Sequence, residues 1–111
     1  MGITKSNLFT EEQNNLAIIA KALAHPARIA IIEFLLKSNT CVNGTLVQEL
    51  GLAQATISQH LRELKNIGII QGSIEGTSMC YCINGEKWNE INNLFETLFK
   101  KFNTNCGSEC C

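Results

Sequence analysis

Thiol groups are the side chains of this sequence most able to bind ions, and they are concentrated at its C-terminal end. Six of the 111 residues are cysteine, and half of these six lie within the last six positions. They are Cys106, Cys110 and Cys111, and Gly107 lets the backbone fold around a small ion. Thiolates select soft ions. Residues 103–111 are therefore predicted to be a cysteine-rich tail that carries a soft-ion site.

The other three cysteines are candidates for a second thiol site. Cys80 and Cys82 flank Tyr81 in a predicted strand, where residues i and i+2 share one face about 6–7 Å apart. This separation is wide for holding one ion, so a packing role is favoured for both. Cys41 lies far from both groups in the sequence.

Composition excludes several classes of protein. Nine basic and ten acidic residues give a net charge of −1, so nucleic-acid binding must come from a local patch and not from a basic coat. All ten acids are glutamate, which disfavours calcium loops built on aspartate. No apolar stretch is long enough to span a bilayer, and residues 1–10 do not resemble a secretory signal. A cytoplasmic protein without a disulfide framework is expected.

Hydrophobic periodicity predicts the elements that position these groups. Helices are predicted over 8–24, 27–37, 46–50, 54–67 and from the cap Asn84 to about 102, with strands over 69–74 and 78–83. Pro26 suits a first helical position, and Gly68 suits a C-terminal cap. The fold class is mainly α with a small β-hairpin. A short helix, a turn, an amphipathic helix and a hairpin, in this order, predict a winged helix-turn-helix in one domain, 1–102.

The last predicted helix carries an apolar seam. Its members follow a 3-4-3-4 spacing, and they are Trp88, Ile91, Phe95, Leu98 and Phe102. This heptad spacing is typical of helix pairing. A homodimer through this seam is therefore favoured over a purely internal role.

Polar side chains on the helix at 54–67 predict contact with DNA. The candidates are Gln54, Thr56, Ser58, Gln59, His60 and Arg62. Glutamine pairs bidentately with adenine and arginine with guanine, while serine and arginine also contact phosphates. The same residues would also suit an ordinary solvated helix face. The adjoining helix and wing favour operator DNA as the partner.

Three segments resemble the ArsR/SmtB family of bacterial metal-sensing repressors. They are AHPAR at 24–28, AQATISQHL at 53–61 and ELKNIGII at 63–70, within a resemblance that covers about 8–102. The resemblance implies a homodimer joined through its first and last helices. Such a repressor binds its operator without metal and leaves it when an inducer binds. Ala53 stands where many relatives have a serine cap, a difference of about 1 kcal/mol in helix stability.

The resemblance also narrows the choice of inducer. Family members hold As(III) or Sb(III) with three cysteine sulfurs, and the arsenic type often uses a Cys-x-Cys motif at the start of the third, short helix. Here Cys41 matches its first position, but Asn43 occupies the second. Some members place their thiols near the last helix instead, so the tail set is predicted to bind As(III) or Sb(III). The last helix has no histidine, which disfavours the zinc, cobalt or nickel site of other members.

Other signals and activities are open alternatives at this point. Cys41 with Cys106 would suit a repressor of the same fold that senses thiol oxidation or persulfide. Cadmium or lead would also favour sulfur ligands. An enzyme is not expected, because the sequence has no Cys-x-x-Cys motif and no βαβ unit. No catalytic cofactor is expected either.

Overall fold

Four helices and a two-stranded hairpin form the described part of the chain. The structure is a computed structural model, and it describes residues 8–38, 50–73 and 80–102. In chain order the elements are α1 (Glu11–Ala22), α2 (Pro26–Lys37), α3 (Gln54–Asn66), β1 (Ile70–Ser73), β2 (Cys80–Ile83) and α4 (Gly85–Phe99). The predicted fold class, mainly helical with a small hairpin, is confirmed. The predicted short helix at 46–50 lies, apart from Leu50, outside the described residues. None of the described helices is long and apolar enough to cross a membrane.

Local sequence signals set the helix ends. The Thr10 side chain accepts a bond from the Gln13 backbone N–H, and the Gln13 side chain accepts one from Thr10, which forms a capping box. This box starts α1 three residues later than predicted. Pro26 occupies the first turn of α2, and the Asn84 side chain caps α4 by accepting from the Lys87 backbone N–H. Both of these predicted roles are confirmed.

A glycine turn joins α3 to the hairpin. Gly68 has φ +89°, a conformation that favours glycine. Its N–H donates to the Lys65 carbonyl at 2.9 Å, and the Ile69 N–H donates to the Leu64 carbonyl at 3.0 Å. This pair of bonds is the Schellman pattern at a helix C-terminus. It turns the chain so that β1 starts directly beside α3.

The hydrophobic core joins every described element. Its buried members are Ile19, Ile31, Ile32, Leu35, Ile57, Leu61, Leu64, Ile69, Ile70, Tyr81 and Ile91. Helix α1 packs against α4, and α2 packs against both α3 and β2. The stripe on α3 repeats every three to four residues, so one face of this helix is buried and the other is left to solvent.

The apolar seam of α4 divides between the core and the surface. Ile91 is buried, and Trp88 and Phe95 are half-buried against the core. Leu98 is 45% exposed and Phe102 is 66% exposed. The N-terminal part of the seam therefore belongs to the monomer core, and only its C-terminal part is free to meet a partner.

The hairpin requires glycine at one position. The strands are antiparallel, with the register Ile70↔Ile83, Gln71↔Cys82, Gly72↔Tyr81 and Ser73↔Cys80. Gly72 has φ +113°, and a Cβ there would clash with the Cys80 carbonyl oxygen. A side chain at position 72 would force the two strands apart.

We expect Tyr81→Phe to stabilise the protein. Tyr81 is completely buried, and its hydroxyl has no hydrogen-bond partner within the described residues. Burial also raises the pKa of its phenol. An unsatisfied buried polar group costs about 1–3 kcal/mol, so its removal should raise Tm by several degrees in thermal unfolding followed by circular dichroism. A Tm lowered by the substitution would contradict this account of the hydroxyl.

Candidate nucleic-acid interface

The six predicted DNA-contacting side chains all lie on α3, and they differ in exposure. Gln54, Thr56, Gln59 and Arg62 are exposed, whereas Ser58 and His60 are half-buried. Ile57, Leu61 and Leu64 hold the opposite face of the helix in the core. Ala53 provides no side-chain cap, as predicted, so α3 depends on this buried stripe for its position.

The outward face of α3 carries three exposed hydrogen bonds between its own side chains. Arg62 Nη1 donates to Gln59 Oε1 at 3.4 Å, and Gln59 Nε2 donates to Glu63 Oε2 at 3.1 Å. Gln54 Nε2 donates to Ser58 Oγ at 3.1 Å. All three bonds are exposed, so water or a base edge can replace either partner at little cost. The face therefore offers an amide and a guanidinium, which are the groups that read adenine and guanine.

Lys65 holds the hairpin against α3. Its Nζ donates to the Gly72 carbonyl oxygen at 2.6 Å, which joins the helix to β1. The sequence did not predict this contact, because periodicity does not reveal a bond across seven positions. The helix and the base of the wing are thus held together, while the hairpin tip at 74–79 lies outside the described residues.

His60 is turned toward α2. Its Nδ1 accepts a bond from Arg28 Nε at 3.0 Å, and its ring lies 5.6 Å from that of His25. Burial lowers the pKa of His60, the charges of Arg28 and His25 lower it further, and Glu63 raises it. Sequence reasoning assigned no role to Arg28. The only signal was an arginine in the first turn after Pro26.

The thiols of β2 differ from each other. Cys82 is free and half-buried, and its sulfur lies 3.9 Å from Gln71 Nε2. Cys80 is disulfide-bonded. The buried residue between them is Tyr81, so both cysteines lie on the side of the strand that faces away from the core.

The predicted ion-binding thiols are not among the described residues. Cys41, Cys106, Cys110 and Cys111 lie outside the described residues. Within residues 8–38, 50–73 and 80–102, no group of three or more potential metal ligands is close enough to hold an ion.

Comparison with known proteins assigns the chain to a family. The family described as "Bacterial regulatory protein, arsR family" matches residues 25–71, from the start of α2 into β1. An uncharacterised HTH-type transcriptional regulator of Methanocaldococcus jannaschii, MJ1325, is 34% identical over 88 residues. These residues are 79% of this chain and 99% of that protein. The chain belongs to the arsR family.

Two mycobacterial relatives match a shorter part of this arsR-family chain. In Mycobacterium tuberculosis, the uncharacterised HTH-type transcriptional regulator Rv0081 is 38% identical over 63 residues, and the HTH-type transcriptional repressor SmtB is 41% identical over 63. The match covers 57% of this chain in both cases, and 55% and 46% of the two relatives. The chain thus spans about half the length of these two proteins.

The fold is also similar to a solved structure. The crystal structure of M. tuberculosis Rv0081 superposes with a TM-score of 0.60 at 28% identity, over 84% of this chain and 93% of that one. The relatives and the family are transcriptional regulators and not enzymes. The resemblance to the ArsR/SmtB family is confirmed at the level of the family, and so is the winged-helix architecture.

Proposed function

We propose that this chain is a transcriptional repressor that binds an inverted-repeat operator as a homodimer. As(III) or Sb(III) releases it from DNA by binding the thiolates of Cys106, Cys110 and Cys111. The observation that carries the DNA-binding part is the exposed polar face of α3, held beside the wing by the 2.6 Å bond from Lys65 to the Gly72 carbonyl. A recognition helix of this kind enters the major groove, with polar side chains toward the bases.

The distribution of exposed apolar side chains supports the homodimer. Among the described residues, the large apolar side chains exposed on or beside α1 and α4 are Leu8, Phe9, Ile18, Leu98, Phe99 and Phe102. The other exposed large apolar side chains of the described residues are Ile29 and Leu36, on α2. Since α1 packs against α4, the side chains on or beside these two helices offer a partner one surface made from both. Two copies joined there would present two α3 helices to two half-sites about one DNA turn apart.

The chemistry of the tail supports a soft inducer. Three thiols within six residues give the three sulfur ligands that the family resemblance implies for As(III) or Sb(III). The tail follows directly after Phe102, at the exposed end of α4. An ion bound there would act on the helix that forms the proposed dimer contact, and so on the spacing of the two α3 helices.

Release requires a coupling free energy that both ligands share. If the inducer weakens operator binding by some factor, the operator weakens inducer binding by the same factor. Moving the population from almost fully bound to almost fully released takes a differential affinity of about 10⁴-fold. The thiolate site must therefore bind the inducer much more tightly in a dimer geometry that does not fit the operator than in the geometry that binds it.

Fluorescence anisotropy of a labelled operator, taken from upstream of the protein's own gene, tests this function. The reductant should be a phosphine, because dithiols bind arsenite themselves. We expect arsenite or antimonite to raise the operator Kd at least 100-fold. Release by cadmium or lead alone would support the repressor function but identify a different inducer. Tight binding that ignores all of these ions would contradict the metalloid assignment.

The disulfide at Cys80 favours a second candidate, a repressor controlled by thiol oxidation or persulfide. In that case an oxidant would release the operator without any ion, and reductant would restore binding. Differential alkylation with mass spectrometry, before and after oxidation, would identify the cysteine paired with Cys80. Release by oxidant in a Cys80→Ser variant would show that control does not depend on this bond.

A further inference from the structure

Arg28 is a side chain whose hydrogen bonds tie two other helices to its own. It lies in the first turn of α2 and is half-buried. Its Nη1 donates to the Ala22 carbonyl oxygen at 3.0 Å, and its Nε donates to His60 Nδ1 at 3.0 Å. Ala22 is the last residue of α1, and His60 lies in the middle of α3. One guanidinium therefore connects three helices.

Both bonds suit arginine for identifiable reasons. The last carbonyls of a helix have no donor within the helix and attract positive charge, so Ala22 is a natural acceptor at the end of α1. A guanidinium directs several N–H groups outward in a fixed plane, whereas a lysine ammonium is a single point. A lysine at position 28 would keep the charge but could not hold both acceptors in the same geometry. Arginine is thus needed for the connection and not only for its charge.

We propose that Arg28 positions the recognition helix α3 relative to α1, so that operator affinity depends on the Ala22–Arg28–His60 connection. This inference rests on the proposed DNA-binding function. Arg28 acts here through His60, which makes it a positioning residue. The connection runs from α1, which packs against α4 and carries part of the proposed dimer surface, to the helix proposed to read DNA. Since two α3 helices must match two half-sites, a small displacement of α3 on loss of this bond would lower operator affinity.

His60 must be neutral for the connection to exist. An arginine only donates, so His60 Nδ1 must accept and its proton must lie on Nε2. Protonation of Nδ1 removes the acceptor and places a cation beside Arg28. The charged or titratable groups that act on the ring are Arg28 from α2, His25 at its N-cap and Glu63 from α3. These three groups line a cleft of about 550 Å³ to which α1 contributes Lys21.

The sign of the pH dependence follows from this geometry. The environment lowers the pKa of His60, so the connection is complete above the ordinary histidine value of about 6.5 and is lost as the pH falls through the lowered value. Operator affinity should therefore fall on mild acidification. A His60 that met phosphate directly would give the opposite sign, because its protonation would strengthen binding.

Operator anisotropy at pH 7.5 and 5.5 without inducer tests the inference with three variants. Arg28→Lys should raise the Kd about tenfold at pH 7.5, which corresponds to about 1.4 kcal/mol. In His60→Asn, Oδ1 stands near the place of Nδ1 and accepts without titrating. The ratio of its Kd at pH 5.5 to its Kd at pH 7.5 should be at least fivefold smaller than the same ratio for wild type. Arg62→Lys, on the exposed face of α3, is the control that should weaken binding while keeping the wild-type pH ratio.

Three results would overturn the inference. One is an Arg28→Lys protein that remains folded by circular dichroism and binds with the wild-type Kd. Another is wild-type binding that stays equal or strengthens at pH 5.5, and the third is a His60→Asn protein that keeps the full pH ratio. The His60→Asn measurement remains decisive if Arg28→Lys does not fold. Wild-type protein that binds no operator at pH 7.5 would overturn the proposed function as well.

Discussion

Replacing Leu98 and Phe102 with glutamate is expected to convert a dimer into a monomer and to weaken operator binding at least 100-fold. Both side chains belong to the predicted seam, are exposed in the isolated chain and lie outside its core, so their loss leaves the monomer core intact. Two carboxylates facing two others across a symmetric contact repel each other and lose water without gaining a partner. A monomer meets each half-site separately and loses the gain from linked binding, about 10²–10⁴-fold.

The chain provides a matched control for this experiment. Ile29 and Leu36 are 40% and 47% exposed but lie on α2, outside the proposed dimer surface. Glutamate at these two positions adds the same charge to a similarly exposed apolar pair and should leave both the dimer and the operator affinity unchanged. Sedimentation equilibrium gives the assembly state, and operator anisotropy gives the Kd. A dimeric Leu98→Glu/Phe102→Glu protein, or an equal effect at Ile29 and Leu36, would contradict the proposed interface.

Trp88 and Phe95 are poorer positions for such a test. They follow the same heptad spacing as Leu98 and Phe102, so the sequence alone predicts the same role for all four. In the structure they pack against the core of their own chain. Spacing indicates which face of a helix is apolar, but what covers that face depends on where the rest of the chain ends. Here the seam residues in the first part of α4 are buried or half-buried, and those at its end are exposed.

Local signals in the sequence predicted most of the fold for a physical reason. Pro26, Gly68 and Asn84 act on their own backbone or within three residues of it, so their effect can be read without tertiary structure. The buried stripe of α3 is likewise a property of helix geometry. The first helix was predicted too long because its N-terminus is set by Thr10, whose capping partner, Gln13, was not recognised as part of a capping box.

Contacts between distant residues could not be predicted in the same way. The bond from Lys65 to Gly72 requires the turn at Gly68, and the bond from Arg28 to His60 joins positions 32 residues apart. Both bonds connect elements that were predicted individually. His60 shows the consequence, because it was predicted as a DNA-facing residue on helix position alone. Its Nδ1 is occupied by Arg28, so only its Nε2 is left to donate to another group.

Replacing Cys106, Cys110 and Cys111 together with serine is expected to abolish release by arsenite while leaving operator binding unchanged. Serine keeps the size and polarity of each side chain but is a poor ligand for a soft ion. These residues follow α4 and are separate in sequence from α3, which carries the proposed DNA-reading face. The operator Kd without arsenite should therefore equal that of wild type, whereas the increase of at least 100-fold on adding arsenite should disappear. Operator anisotropy and direct titration of arsenite binding measure the two effects separately.

Variants of the cysteines outside the tail test whether release by arsenite depends on the tail alone. Cys82→Ser removes a free, half-buried thiol outside the tail and should keep full release by arsenite. Cys41→Ser tests whether the site is completed from the position that matches the first cysteine of the usual family motif. If Cys41→Ser and the triple serine variant each lose release by arsenite, the site is shared between both regions. Full release in the triple serine variant would exclude the tail and leave Cys41 as the next candidate for the thiol site.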